Sequence, residues 1–500
     1  MPSPRPTAKP EAFSPPRPGH VRRRSPWPLL PVALLATAAA SPLATPLAAQ
    51  WPSDDASPTE FALALNAKIL CSGVFFQGRD PETHIAQDLR AFDHFAWGQD
   101  FTWEVDRERR RVTLSAPGEP SRVAQYNGDQ GCAILPRGEQ DVRFTPTRVR
   151  DPWEHAEHIP WPTGDLLDEG PLPPEVDRAA LDRVLDWAMD NDQHGQNTRA
   201  LVVVHKGRLI AERYAPGFSW DTPHLSWSEG TSITAALVGV LVQQGELTVE
   251  QRAPVAEWSS PDDPRRDITV ADLLHMSSGL AFRNEGLGGP ETRTTGNHHF
   301  RIYFDGIDVF THAVSFPLEV PPNTRWRYLN SDPLTLGRIV RQKVEARGES
   351  YHAFPWRALF DRIGMKSVVL ETDAWGDFIM TGFDYASARD WARFGMLHLQ
   401  DGVWEGERIL PAGWSRFVST PAPASEDRGY GALFWLNAGG DYDRIPADAY
   451  WPSGFMGQTT MIIPSREMVV VRLGPSPGRF GPYLNKLVGD VLDAVGTEAH

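Results

Sequence analysis

Ser228 is the residue of this sequence whose type and position best suit nucleophilic chemistry. It shortly precedes an apolar segment, residues 231–244, that is predicted to form a helix. At a helix N-terminus, free backbone N–H groups and the helix dipole stabilise negative charge that develops on a nearby hydroxyl. A serine at this place is also a common N-cap without any chemistry. The position alone therefore leaves two interpretations open, a nucleophile and a cap.

Further motifs surround Ser228 in an order that one protein family shares. They are the strand pair 201–214, the segment 268–280, Tyr328-Leu329-Asn330, the segment 390–395 and the segment 453–458. From about residue 199 onward the chain resembles the serine β-lactamase-like family, which includes class C β-lactamases, D-alanyl-D-alanine peptidases, related esterases and 6-aminohexanoate-oligomer hydrolases. The resemblance depends on the whole set, because any one of the motifs alone is weak.

The resemblance implies a catalytic role for Ser228, as the nucleophile, and for Tyr328, as the acid/base residue that passes a proton to the leaving group. Asn330 would hold a substrate amide or orient the nucleophile. In the third motif, Ser453-Gly454-Phe455, the glycine would let the substrate approach the backbone closely. The N–H of Phe455 would then join that of Ser228 in an oxyanion hole. Without chemistry, Tyr328 and Asn330 would be core and turn residues, and the third motif a bend between strands.

Thr231 stands where the family's Ser-x-x-Lys motif has its lysine. A desolvated lysine there accepts the proton of the serine, whereas threonine has no group that titrates in the physiological range. No lysine lies between Lys206 and Lys343. Glu229, about 100° further round the helix, is expected to point elsewhere. His224 precedes the helix on an undefined path, so it is a weak substitute.

The lost lysine also bears on Tyr328, because a free phenol titrates near pH 10 and a nearby ammonium is what would lower its pKa. Arg325 or Arg327 could supply positive charge instead. Trp227 and Trp326 flank the predicted site and are expected either to form an apolar acyl pocket or to pack in the core.

These residues predict an exported serine hydrolase that acts on an ester or amide through a Ser228 acyl-enzyme and is impaired by Thr231. The alternative is a catalytically inactive binding protein that keeps the pocket. In a third hypothesis the N-terminal unit is an interaction module. The substrate is expected to be a small molecule or short peptide-like compound, and a fold of this type does not choose among them.

Composition limits the partners. The net charge of −15 argues against nucleic acid, which requires concentrated Lys and Arg. The pairs His155/His158 and His298-His299 lack acidic or cysteine partners at zinc-like spacing, so no metal and no other cofactor is expected.

The first fifty residues are predicted to be disordered and to contain an export signal, with a basic cluster at 22–24, an apolar run at 28–47 and small residues for cleavage. That run is short and proline-rich for a bilayer span, so no membrane span is expected in the mature form. The chain would thus be periplasmic or secreted. Cys71 and Cys132 are expected to form a disulfide in such a compartment, with two free thiols as the alternative.

The predicted fold is α+β, with an antiparallel sheet built from both ends of one domain around an inserted helical region. Residues 51–160 are predicted to form a small N-terminal α/β domain, with a helix at 60–70 and a hairpin at 101–114. A linker would occupy 161–175 and the hydrolase-like domain 176–500. Within it we expect helices at 176–191 and 482–495 and strands at 200–205, 208–214, 432–436, 459–463 and 468–473.

Overall fold

The computed structural model describes residues 56–89, 101–150, 156–283, 298–476 and 480–496. Contacts between Cα atoms group Trp51–His500 into one compact unit. The predicted export segment 1–50 and His155 lie outside the described residues. Among those described, no helix is both long enough and apolar enough to cross a bilayer.

The helices of the described chain are short, apart from six with twelve or more residues. In chain order, the α-helices are α1 Pro58–Phe75, α2 Pro81–His84, α3 Arg178–Met189, α4 Asn191–His194, α5 Gly230–Gln243, α6 Val270–Leu274, α7 His298–Phe304, α8 Val309–Val314, α9 Ser331–Ala346, α10 Asp361–Ile363, α11 Ala388–Leu399, α12 Trp414–Ser419 and α13 Gly481–Ala494.

Sixteen strands of the described residues form four sheets. In chain order they are β1 Thr102–Asp106, β2 Arg111–Ser115, β3 Arg122–Tyr126, β4 Cys132–Ile134, β5 Ala200–His205, β6 Arg208–Tyr214, β7 His224–Leu225, β8 Val369–Leu370, β9 Asp384–Ala386, β10 Val403–Trp404, β11 Glu407–Arg408, β12 Trp435–Leu436, β13 Tyr450–Trp451, β14 Ser453–Gly454, β15 Gln458–Ile463 and β16 Met468–Leu473.

The central sheet has the order β12-β13-β15-β16-β5-β6, with β14 paired to β15. Both ends of the predicted domain therefore contribute to one antiparallel sheet, and the α+β prediction is confirmed. Every residue of β5, β15 and β16 is buried. Alternate side chains of β5 enter two separate hydrophobic cores, one on each face, because side chains alternate along a strand. Helix α11 packs on one face and α3 and α13 on the other.

The N-terminal segment packs α1 against a four-stranded antiparallel sheet, β1-β2-β3-β4. The predicted disulfide is present: Cys71 on α1 is bonded to Cys132 on β4, with 6.2 Å between their Cα atoms. Lys68 on α1 also reaches beyond this segment, because its ammonium lies 2.9 Å from Glu371 and both side chains are fully buried. The division into two domains at residues 161–175 stays a prediction.

One predicted strand is much shorter in the structure. Residues 432–436 were expected to form a strand, but only Trp435 and Leu436 do so. Leu433 has a φ of +59°, a left-handed conformation that is incompatible with an extended strand. The predicted helical region also contains β8 and β9 of the small sheet β7-β9-β8, and β7 precedes the turn that holds Ser228.

Candidate active site

Ser228 lies in a single 3₁₀ turn, Trp227–Glu229, that runs directly into α5. Two contacts fix the residue before this turn: the Ser226 N–H donates to the Asp384 carbonyl at 2.9 Å, and the Trp391 indole N–H donates to the Ser226 hydroxyl at 2.8 Å. Trp227 has a φ of +53°, a strained conformation for a side chain of this size. Such strain next to a nucleophile position is typical of functional sites.

Three hydroxyl groups meet at the head of α5. The side chains of Ser228 and Thr231 lie near enough to the Tyr328 hydroxyl to lower its pKa. The Thr231 hydroxyl also donates to the Ser228 carbonyl oxygen at 2.9 Å. The structure thus brings Tyr328 close to Ser228 and Thr231, although Tyr328 is far from both in the sequence.

In the described chain, no positive charge near Tyr328 lowers the pKa of its hydroxyl. Burial raises the pKa of Tyr328 to about 12; the contacts from Ser228 and Thr231 oppose this rise and the Asp384 carboxylate adds to it. Neither Arg325 nor Arg327 supplies the missing charge. Both guanidinium groups pair with Glu319, at 2.9 and 3.1 Å, on the protein surface. Tyr328 is therefore a neutral phenol at physiological pH.

Tyr430 was not identified from the sequence, although it belongs to the same group. Its buried hydroxyl makes a hydrogen-bonding contact with Thr231, and burial raises its pKa well above the usual value. The ring of Tyr430 lies 5.2 Å from that of Trp435 and 5.3 Å from that of Trp326. Tyr328 stacks on Trp435 at 6.0 Å. An aromatic wall therefore encloses the three hydroxyl groups on this side, and Trp326 is part of it.

The third motif packs against the Ser228 turn. Ser453 and Gly454 form β14, which pairs with the start of β15. A Cβ atom added to Gly454 would lie 2.0 Å from the Ser226 carbonyl oxygen, so only glycine fits at this distance. The ring of Phe455 lies edge-on to that of Trp227, with 5.6 Å between centroids. The backbone segments that would form the oxyanion hole are thus neighbours.

Asn330 is fully buried at the start of α9. Its side-chain amide donates to the Tyr303 hydroxyl at 3.2 Å and contacts Nδ1 of His299. Burial lowers the pKa of His299 to about 4, so the ring is neutral at physiological pH. Among the described residues, Oδ1 of Asn330 has no hydrogen-bond partner. The amide orientation is therefore set by helix α7, a contact that the sequence did not indicate.

Two buried carboxyl groups, those of Glu229 and Asp384, lie close to the Ser228 turn. Glu229 accepts a hydrogen bond from Thr460 at 2.9 Å, so it points into the sheet and away from the cluster of hydroxyls. Asp384 lies against the backbone of α5, where a Cβ atom on Gly230 would be 2.2 Å from its Oδ1. Burial raises the pKa of both groups well above the usual range.

The carboxylates of Asp308, Asp373 and Asp377 are the one group within the described residues whose oxygen atoms cluster as metal ligands could, within 4.8 Å of one another. Asp373 accepts backbone N–H bonds from Val309, Trp375 and Asp377 itself. Asp377 pairs with Arg341. These contacts hold the Asp373 and Asp377 side chains in place within the fold. His158, the described member of the pair His155/His158, has a largely exposed side chain.

Comparisons with known proteins found similar sequences and similar structures. A 6-aminohexanoate-dimer hydrolase of Paenarthrobacter ureafaciens is 25% identical over 377 residues, which cover 68% of this chain and 92% of that protein. A Bacillus anthracis protein provisionally named a 6-aminohexanoate-dimer hydrolase has a similar structure, with a TM-score of 0.52 and 22% identity over 62% of this chain and 81% of its own.

The structure of EstCE1, a hydrolase with promiscuous acyltransferase activity, also has a TM-score of 0.52, with 14% identity over 64% of this chain and 99% of its own. At such identities the solved structures show the fold alone. The family model described as Beta-lactamase matches residues 181–492, more than half of the sequence. This match includes every residue of the candidate site, and the chain therefore belongs to the beta-lactamase family.

Proposed function

We propose that this protein is a serine hydrolase that acts on an ester or amide through an acyl-enzyme on Ser228, and that Thr231 makes its turnover slow. The observation that carries the proposal is the proximity of the Ser228 and Thr231 side chains to the Tyr328 hydroxyl at the head of α5, where both lower its pKa. The strained residue before Ser228 and the close approach of Gly454 to the same turn support it.

In the first step, Oγ of Ser228 attacks the carbonyl carbon and its proton leaves to solvent, because Thr231 accepts none at physiological pH. The N–H groups of Ser228 and Phe455 would stabilise the oxyanion. Tyr328, a neutral phenol, gives its proton to the leaving group as the C–O or C–N bond breaks. Because its pKa is about 12, the phenolate then takes a proton back from solvent before the second step. The site thus keeps a general acid and lacks a general base.

The missing base affects the second step equally, because water must be deprotonated to attack the acyl-enzyme. General-base assistance contributes roughly 10²–10⁴ in rate. We therefore expect activated esters to acylate Ser228 faster than the acyl group is hydrolysed. The visible consequence is a burst of one product per protein molecule, followed by slow turnover.

For the substrate we propose a small ester or a short amide. The Paenarthrobacter ureafaciens relative is named for the hydrolysis of an amide dimer, and EstCE1 is named a hydrolase with acyltransferase activity. The aromatic wall around Tyr328 favours an apolar acyl or leaving group. We also propose that the chain is exported, because its disulfide is of a kind found in oxidising compartments.

A second candidate function is a binding protein that keeps the pocket and performs no chemistry. The observation that favours it is Thr231 itself, together with the high pKa of Tyr328. Such a protein would bind a peptide-like ligand in the cleft and form no covalent bond with it.

Labelling with a fluorophosphonate separates the two functions. The Ser228 oxygen displaces fluoride from phosphorus, and intact-mass spectrometry followed by peptide mapping locates the adduct. We expect one adduct on Ser228, which Ser228→Ala abolishes. Ser226→Ala is the matched control, because this buried serine lies two residues away and its hydroxyl contacts Trp391. Absence of any adduct at millimolar probe in folded protein would support the binding protein.

A further inference from the structure

A small polar cavity lies behind the Ser228 turn, where the N-terminal segment meets the hydrolase-like part. Its volume is about 40 Å³, and its walls include Asp88, Arg199, His224, Trp227 and Gln458. A cavity needs roughly 10–15 Å³ on this measure to hold one water molecule. This one therefore has room for two or three waters, or for one small ion.

Positive charge exceeds negative charge around this cavity. Among the described residues that line it, Asp88 is the only acidic one, and its two oxygen atoms already bind Arg199 at 2.6 Å and Arg79 and His84. The pKa of Asp88 is far below its usual range because of these partners, so it is ionised. Arg199 uses Nη1 for this pair, and its buried Nε has no hydrogen-bond partner among the described residues.

Arg472 adds a second positive charge behind Gly474, a residue that lines the cavity. Its side chain is 1% exposed, and its donors reach the hydroxyls of Thr198 and Ser476 and the carbonyls of Gly457 and Gly474, the last of which lines the cavity. In the described chain it has no carboxylate partner. A fully buried arginine without a counter-ion is costly, because a buried charge normally requires an opposite one.

His224 supplies a neutral donor or acceptor in the wall of the same cavity. Its ring lies against Phe218 and is 4% exposed, and Nε2 has no hydrogen-bond partner in the described part of the chain. Burial is the main cause that lowers the pKa of His224 to about 3, and the positive charge of Arg199 lowers it further. A ring that stays neutral at physiological pH can present its N–H to an anion without needing a proton from solution.

We propose that this cavity is a binding site for one small monovalent anion, a halide or a carboxylate of formate size, held between Nε of Arg199 and Nε2 of His224. The anion supplies the counter-charge that Arg199 and Arg472 together lack. Because Trp227 forms one wall, the bound anion also braces the strained residue that precedes Ser228. The site is independent of acyl chemistry, so it stands whether or not Ser228 is a nucleophile.

The test uses the mature, disulfide-bonded protein crystallised without halide, then soaked in bromide or in formate. We expect an anomalous bromide peak within about 4 Å of Arg199 Nε and His224 Nε2, or formate density at the same place. Bromide alone would identify a halide site, and formate alone a carboxylate site. Surface bromide peaks with only water in the cavity would overturn the proposal.

A solution measurement covers the case in which the soak disturbs the crystal. At constant ionic strength, replacing gluconate with bromide or formate should raise Tm for the wild-type protein, because an anion that binds only the folded state stabilises it. The variant His224→Phe keeps the aromatic contact with Phe218 and removes Nε2, so its Tm should no longer depend on the anion. An equal dependence in both proteins, or none in the wild type, would contradict the site.

Discussion

Restoring the missing amine with Thr231→Lys is the sharpest perturbation of the proposed chemistry. Residue 231 is 3% exposed and its side chain already contacts Tyr328. A lysine there would be desolvated, which lowers its pKa and leaves part of it neutral at mild alkaline pH. The neutral amine would accept the proton of Ser228, and the charged form would lower the pKa of Tyr328 from about 12.

The expected gain follows from what general-base assistance contributes. Roughly 10²–10⁴ in rate corresponds to about 3–6 kcal/mol of barrier, at about 1.4 kcal/mol per factor of ten. The larger side chain must displace neighbours such as Tyr430, which costs about 1–3 kcal/mol of stability in a packed site. The variant should therefore be faster and less stable than the wild type.

The assay is hydrolysis of p-nitrophenyl acetate, followed as kcat/KM between pH 6 and 9. For Thr231→Lys we expect at least a hundredfold increase, with activity that rises with pH as the amine loses its proton. Thr231→Met is the matched control, since it is similarly long and has no amine. Adding Ser228→Ala should remove the gain. A folded Thr231→Lys variant with wild-type activity would refute the placement of residue 231 beside the nucleophile.

Three further predictions test separate parts of the account. In Tyr328→Phe the loss of kcat/KM should be at least tenfold greater for an ethyl ester than for a p-nitrophenyl ester in parallel assays, because only the poorer leaving group needs the phenol proton. Gly454→Ala should lower the free energy of unfolding by about 1–3 kcal/mol in urea titrations, because its Cβ atom would lie 2.0 Å from the Ser226 carbonyl oxygen. Gly481→Ala is the control: its Cβ atom would have its nearest neighbour at 3.7 Å, so the free energy of unfolding should change little. Burial raises the pKa of Asp332 to about 7, so between pH 4 and 7 the folded protein binds a proton that the unfolded chain releases, and this group's contribution to stability falls as pH rises. We therefore expect the free energy of unfolding of Asp332→Asn, measured with urea, to rise relative to that of the wild type by up to about 4 kcal/mol between pH 4 and 8. If the difference between the two proteins did not change with pH, the raised pKa would be contradicted.

Much of the scaffold could be predicted from the sequence because its elements have strong periodicity and clear ends. The strands at 200–205 and 208–214 are observed with those bounds, since a Lys206-Gly207 turn separates two apolar runs. The head of α5 was also predictable, because a polar segment gives way there to a long apolar one. These features depend on neighbours in sequence, which is the information that pattern analysis uses best.

Other features arise from contacts between distant segments and carry no local signal. Tyr430 reaches Thr231 only because the chain reverses near Leu433, whose left-handed backbone also shortened the predicted strand. The buried pair Lys68–Glu371 joins two parts of the chain that were expected to form different domains. The small sheet that includes Asp384 has strands of two or three residues, too short to produce a recognisable alternation.

The most direct test of the account is a crystal structure of the protein after reaction with a fluorophosphonate. The central claim of the proposed function is that a nucleophilic oxygen, an oxyanion hole and a proton donor lie together at the head of α5. We predict phosphorus bonded to Oγ of Ser228 and a phosphonyl oxygen within 3.2 Å of the N–H groups of Ser228 and Phe455, a normal hydrogen-bond length. The Tyr328 hydroxyl should face the leaving-group side. An adduct on another residue, or a phosphonyl oxygen turned toward solvent, would contradict the claim.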